Sequence, residues 1–276
     1  MPELPEVETT RRGIAPALTG RRVTRVVIRE RRLRWPVDRH LEGVVTDQIV
    51  RRIDRRAKYI LIVFDSGTLI VHLGMSGSLR VVGADVRPTR HDHWDIEVDS
   101  GVVLRFHDPR RFGSALWTDS NPLAHKLLAK LAPEPLSDGF DGSYLFGATR
   151  KRTVAIKQFI MNSQRVVGVG NIYASEALFR ARIAPRRAAH RLTRSQAAAL
   201  TQAIKDVLAE AIDTGGTTLR DYVNADGIPG YFRQKLFVYE RHGQPCRVCK
   251  TAVKRFVQGN RSTYWCAVCQ GRRTAQ

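Results

Sequence analysis

Behind Met1, the chain opens Pro2-Glu3-Leu4-Pro5-Glu6-Val7-Glu8. Removal of Met1, which a small second residue favours, would leave Pro2 with a free secondary amine. An α-amino group titrates near ~8, so roughly a tenth is uncharged at pH 7 without help from the fold. Such an amine can attack a carbonyl or acetal carbon and form an iminium, the covalent route otherwise taken by lysine. Glu3 and Glu6 share a face if Pro5 opens a helix, where carboxylates suit the positive helix end. One of them could then move protons beside the nucleophile. A capped, acidic first turn without chemistry accounts for the same residues.

All 4 cysteines fall near the C-terminus, as Cys246-x-x-Cys249 and Cys266-x-x-Cys269. The array suits one tetrahedral structural zinc ion, whose four thiolates leave no open position for catalysis. Between the pairs, Ser262 to Trp265 lean towards strand, and Lys254, Arg255, Asn260 and Arg261 would give a hairpin a basic tip able to enter a groove. A surface arginine on a zinc hairpin is the plainer account of Arg261. His91 and His93 lack a partner motif, so anion contact or local hydrogen bonding is favoured over metal. Lys58 and Lys157 are isolated lysines in an arginine-dominated chain. Lys58 also reads as a solvated basic edge, and Met75, Arg110 and Phe112 stand among turn residues that would place them at tips. Gly168-Val169-Gly170-Asn171 would let backbone N–H groups approach a phosphate closely, with Asn171 capping a helix, binding phosphate, or both. Lys157, Lys151 and Arg152 would add charge there.

The elements that must position these residues change character along the chain. A first helix should end near Thr19-Gly20. Strands are expected at Val23 to Ile28, Tyr59 to Phe64 and Thr68 to Leu73, and on both sides of the Asp99-Ser100-Gly101 turn. The predicted class is α+β: a two-sheet β-sandwich flanked by helices over residues 1–130, then a linker at 131–138 marked by Pro133 and Pro135. A helical domain follows over 139–240, and a zinc-binding β-hairpin over 241–276. Short helices are expected at Val154 to Met161 and Ile172 to Ala181. A long one should start at the Thr193/Gln196 capping box, with apolar positions to Ile212 and a stop at Gly215-Gly216.

The 276 residues carry a formal charge of +20, which points to a polyanion and cannot by itself separate DNA from RNA or an anionic membrane. With no apolar run of about 18 residues and no leader-like start, a soluble, cytoplasmic protein is expected.

The opening Pro2 to Glu8 with Thr9 to Arg12, Lys58, His72-Leu73-Gly74-Met75-Ser76-Gly77, Asp108-Pro109-Arg110-Arg111-Phe112-Gly113, Val167 to Tyr173 and the cysteine array together resemble the formamidopyrimidine-DNA glycosylase family of bacterial base-excision repair enzymes. The resemblance implies a glycosylase and abasic-site lyase, monomeric, acting on oxidised purines in duplex DNA and using Pro2 as nucleophile with Glu3 as proton donor. It gives Lys58 a place in phosphate contact and elimination, and makes Met75, Arg110 and Phe112 the wedge that fills the space of an extruded nucleotide. Arg111 would be structural and His91 would lie at the DNA. The Gly168–Asn171 turn would belong to a helix-two-turn-helix element, Arg261 would serve δ-elimination, and Thr217 to Tyr231 would cover the everted base. Leu4 and the complete Met-Arg-Phe trio favour the purine branch over an endonuclease VIII-like enzyme for oxidised pyrimidines. A non-catalytic lesion-DNA-binding protein is the rival of another class, and a proline tautomerase explains neither charge nor zinc array.

Overall fold

A computed structural model describes residues 1–216 and 232–271, so the expected base-covering loop lies outside the described residues. Two compact units divide the chain: Met1–Lys130 with Thr214–Tyr231, and Leu131–Asp213 with Phe232–Gln276.

In the first unit, helix α1 (Leu4–Leu18) starts from an extended Glu3 and carries Pro5 in its first turn, where a missing N–H costs nothing. It stops where Thr19 donates to the Ala15 carbonyl and Gly20 turns left-handed at φ +80°. Strand β1 (Val23–Ile28), a short helix α2 (Leu41–Val45), and strands β2 (Arg52–Arg56), β3 (Tyr59–Val63), β4 (Thr68–His72), β5 (Ser78–Gly83), β6 (Asp92–Val98), β7 (Val102–His107) and β8 (Ser114–Thr118) follow. They form two antiparallel four-stranded sheets, ordered β1-β6-β7-β5 and β2-β3-β4-β8. Val7, Ile14 and Leu18 of α1 share one core with Trp94, Ile96, Leu104 and Phe106 of the first sheet and Ile53, Ile60, Ile62, Leu69 and Val71 of the second. Alternate residues of strands from both sheets thus meet one another and the helix, as two-faced strands require. Residues 51–56, close to a charge run in the sequence, contain edge strand β2, whose Ile53 enters the core while Arg52 stays exposed.

The second unit holds helices α3 (Gly142–Thr149), α4 (Ile156–Ile160), α5 (Asn171–Arg180) and α6 (Arg194–Asp213), the hairpin β9 (Lys254–Gln258) and β10 (Arg261–Trp265), and α7 (Ala267–Gly271). α6 opens on the expected capping box, with Thr193 and Gln196 exchanging backbone-to-side-chain hydrogen bonds of 3.2 Å each. Its buried face is Ala197, Leu200, Ile204, Val207, Leu208 and Ile212. The expected linker is held against this unit: Ala132 is buried and donates its N–H to the Ser163 carbonyl.

Candidate active site and nucleic-acid interface

The start of α1 places Pro2, Glu3 and Glu6 together, all buried. The Glu6 carboxylate reaches back to accept the Glu3 N–H at 2.8 Å, fixing the backbone directly after Pro2. Gly216, at φ +82°, passes so close that a Cβ there would stand 3.3 Å from Glu6 Oε1. A side chain at 216 would therefore press on this carboxylate, a constraint that nothing local to position 216 announces. Glu8, one turn further on, collects Arg11, Arg12 and Arg55 at 2.8, 2.9 and 3.0 Å. Although burial opposes its ionisation, hydrogen bonds and charge from these arginines hold its carboxyl down at about 2. Glu8 thereby bolts α1 to β2.

Lys58 sits in the two-residue turn of the β2–β3 hairpin, after Ala57 at φ +53°. The hairpin pairs Tyr59 with His72 of β4, bringing their rings to 4.9 Å. His72 Nδ1 accepts the Gly74 N–H at 3.0 Å, so the neutral ring carries its proton on Nε2. Burial, helped by the positive charges of Lys58 and Arg34, pushes this imidazole down to about 4. Tyr59 follows Lys58 directly in the chain, whereas His72 reaches this corner through the β3–β4 register and the charge of Arg34 acts on it from outside the strands, so local spacing announces neither His72 nor Arg34.

Met75 and Phe112 are 40% and 43% exposed at adjoining turns, and the Arg110 guanidinium lies 4.8 Å from the centre of the Phe112 ring. Arg111, at φ +56°, turns away to pair with Glu30 at 3.3 Å. His91 is half-buried, edge-on to His107 at 6.0 Å, whereas His93 is buried and donates from Nε2 to the Asp108 carbonyl at 2.6 Å. Neither lies in a metal-ligating cluster among the described residues.

In the second unit, Gly168 turns left-handed at φ +77° and α5 begins at Asn171, with Gly170 rather than Asn171 in the capping position. The Asn171 side chain points inward instead. Its amide donates to the Ser262 carbonyl at 3.0 Å and its oxygen accepts from Lys157 Nζ at 2.6 Å. Lys157 is 1% exposed, and its ammonium also donates to Thr263 Oγ1 at 2.8 Å and the Ser262 carbonyl at 3.2 Å, so it braces the zinc hairpin against the Asn171 turn. Lys151 and Arg152 are exposed after α3. Arg261 is exposed too, the first residue of β10, across the turn Gly259-Asn260 whose φ values of +56° and +58° match the strand twist of a tight hairpin.

The thiol sulfurs of Cys246, Cys249, Cys266 and Cys269 all lie within 4.8 Å of one another, with Cys249–Cys266 at 3.4 Å and Cys246–Cys269 at 3.9 Å. Bonds of 2.3 Å to one tetrahedral zinc place sulfurs about 3.8 Å apart, so the four residues fit the ion. Gln270 fixes this end of the chain, accepting the Cys266 N–H at 2.8 Å and donating to the Ile183 carbonyl at 2.9 Å. Buried Glu176 of α5 accepts the N–H groups of Phe237, Val238 and Tyr239 at 2.8 to 3.0 Å, an anchor that the sequence did not disclose.

Three family models match in succession: the formamidopyrimidine-DNA glycosylase N-terminal domain over residues 1–115, the H2TH domain of the same enzymes over 131–223, and the zinc finger found in FPG and IleRS over 243–271. A formamidopyrimidine-DNA glycosylase of Thioalkalivibrio sulfidiphilus is 62% identical over 98% of this chain and all of its own. Among solved structures, MutM (Fpg) from Thermus thermophilus superposes with a TM-score of 0.88 at 38% identity, covering 99% of this chain and 100% of that one. A Lactococcus lactis Fpg variant bound to Fapy-dG-containing DNA gives 0.91 at 31% identity, covering 98% and 100%. Since the sandwich, the helical element and the four-cysteine hairpin each meet their own model in order, and a relative matches from end to end, the chain belongs to the formamidopyrimidine-DNA glycosylase family.

Proposed function

We propose that this chain excises oxidised purines from duplex DNA and then cuts the strand, with Pro2 as nucleophile. With Met1 in place the Pro2 nitrogen is an amide, so the activity requires its removal. The freed amine attacks C1′ of an extruded nucleotide, Glu3 protonates the sugar oxygen as the ring opens, and the base departs to leave an iminium. The iminium acidifies the C2′ hydrogens. Loss of one of them expels the 3′ phosphate in β-elimination, and a second elimination expels the 5′ phosphate, leaving a one-nucleotide gap. Glu6, through the Glu3 N–H, orients the nucleophile and the acid. Lys58 supports phosphate contact and elimination, and Arg261 the δ step. Met75, Arg110 and Phe112 fill the space vacated by the lesion, at a cost for extrusion of a few kcal/mol that wedge and pocket offset. His91, Lys151, Arg152 and the backbone at Asn171 are assigned to the DNA backbone. The Lactococcus structure with Fapy-dG DNA supports this substrate class. Cytoplasmic residence with DNA association follows from the same reading.

The observation that carries the proposal is the joint placement of Pro2 and two buried carboxylates, one hydrogen-bonded to the backbone of the other, at a helix start. Borohydride reduces only an iminium to a stable covalent link, so trapping on a duplex with one 8-oxoguanine opposite cytosine tests it. A protein–DNA band that needs both the lesion and a free Pro2 is expected, and should vanish in Pro2→Gly and in a Met1-retaining form. Tight lesion binding without a band would leave a binding protein that kept the fold and lost the chemistry.

A further inference from the structure

Met75 and Phe112 hold large apolar side chains in water, on turns whose collapse would bury them favourably. Something must pin those turns. Asp108 is fully buried, and its carboxylate receives donors from both. Oδ1 accepts the Ser76 hydroxyl at 3.0 Å from the Met75 turn and the Arg110 N–H at 3.3 Å, and Oδ2 accepts the Gly113 N–H at 2.7 Å beyond Phe112. The backbone of Asp108 is gripped as well, its N–H by the His91 carbonyl at 3.0 Å and its carbonyl by His93 Nε2 at 2.6 Å. The two turns touch backbone to backbone. A Cβ on Gly74, itself at φ +67°, would stand 2.5 Å from both Gly113 N and Phe112 C. Burying a carboxylate is expensive unless its lone pairs are satisfied, and a neutral side chain would fill the space without that expense. Only a group with two accepting oxygens and no donor satisfies all three donors at once; an amide would turn an N–H towards one of them.

We propose that Asp108 is the positioning residue that locks the Met75 and Arg110–Phe112 turns into one rigid wedge, and that extrusion of the damaged nucleotide depends on it. The inference rests on the wedge reading above. A rigid pair of loops enters the stack without ordering cost, whereas loosened loops must be ordered at the moment of insertion.

The test separates extrusion from chemistry. Stopped-flow fluorescence of 2-aminopurine placed beside 8-oxoguanine follows unstacking, while borohydride trapping on a preformed abasic duplex follows the amine with no base left to extrude. Asp108→Asn should slow the fluorescence change and lesion excision by tenfold or more while abasic trapping changes by less than threefold. Ser76→Ala, which removes the single hydroxyl linking the turns, should give the same split at a smaller ratio. Parallel losses in both assays, or no loss in either, would overturn the proposal. Should Asp108→Asn not fold, Ser76→Ala decides, and wild-type extrusion kinetics in that variant would overturn it. Absence of any band from the wild-type protein would instead sink the functional reading and this inference with it.

Discussion

Lys58 and Lys157 stand out equally in a chain where lysine is scarce, yet the fold uses them in opposite ways. Lys58 rides a hairpin turn, half-buried, whereas Lys157 is enclosed by Asn171 and by Ser262 and Thr263, the last two more than a hundred residues along the chain. No local spacing separates the two, because a lysine's burial is decided by whatever long-range acceptors reach it. The cysteine array was legible for the reverse reason: its chemistry lies within the spacing itself. Lys157→Met should leave the Asn171 and Thr263 oxygens without their buried donor and cost about 2–4 kcal/mol, read as a lower denaturation midpoint. His72 carries the pH prediction. Its folded pKa of about 4 lies below the free value of 6.5, so the unfolded chain binds the extra proton first. The neutral ring thus contributes stability that is complete above about pH 6.5 and is lost as pH falls towards 4. Imidazole ¹⁵N NMR should show one neutral Nε2–H form persisting to about pH 4, and titration near 6.5 would contradict the buried contact.

At the level of elements, strongly patterned segments were readable and charged ones were not. Alternation announced β6 and β7, and the capping box announced α6, because their apolar periods are long. β2 has only Ile53 on its core face, and its arginines on an edge strand look like a charge run until pairing with β3 is seen. The close crossing of α3 and α6 was equally hidden. A Cβ on Gly142 would come within 2.8 Å of Ala198 Cα, so only glycine permits the approach. Gly142→Ala should force the helices apart and destabilise the second unit by about 1–3 kcal/mol despite alanine's better helix propensity. Thermal unfolding measures this, and an unchanged or raised midpoint would mean that the crossing relaxes freely. Gly259 of the zinc hairpin is constrained differently: a Cβ there would meet only the movable end of the Gln158 side chain, at 2.7 Å from Nε2, and it is the φ of +56° that favours glycine.

Across the whole molecule, charge and chemistry do different jobs. The formal +20 would act on any phosphate backbone, damaged or not, whereas the proposed wedge and the proposed Pro2 nucleophile would act on one nucleotide. Each neutralised phosphate releases condensed counterions, so log affinity should fall linearly with log salt, and six to ten contacts would lose about 10³–10⁵ between 50 and 200 mM. That slope should be nearly the same for undamaged and 8-oxoguanine duplexes, measured by fluorescence anisotropy. Lys151→Ala or Arg152→Ala should flatten it by about one contact on both duplexes. Phe112→Ala carries no charge change, so it should lower affinity for the lesion duplex while leaving the slope alone. A slope that changed with Phe112→Ala would mean that the wedge turn sets how many phosphates the protein engages, and that binding and extrusion cannot be divided between charge and shape.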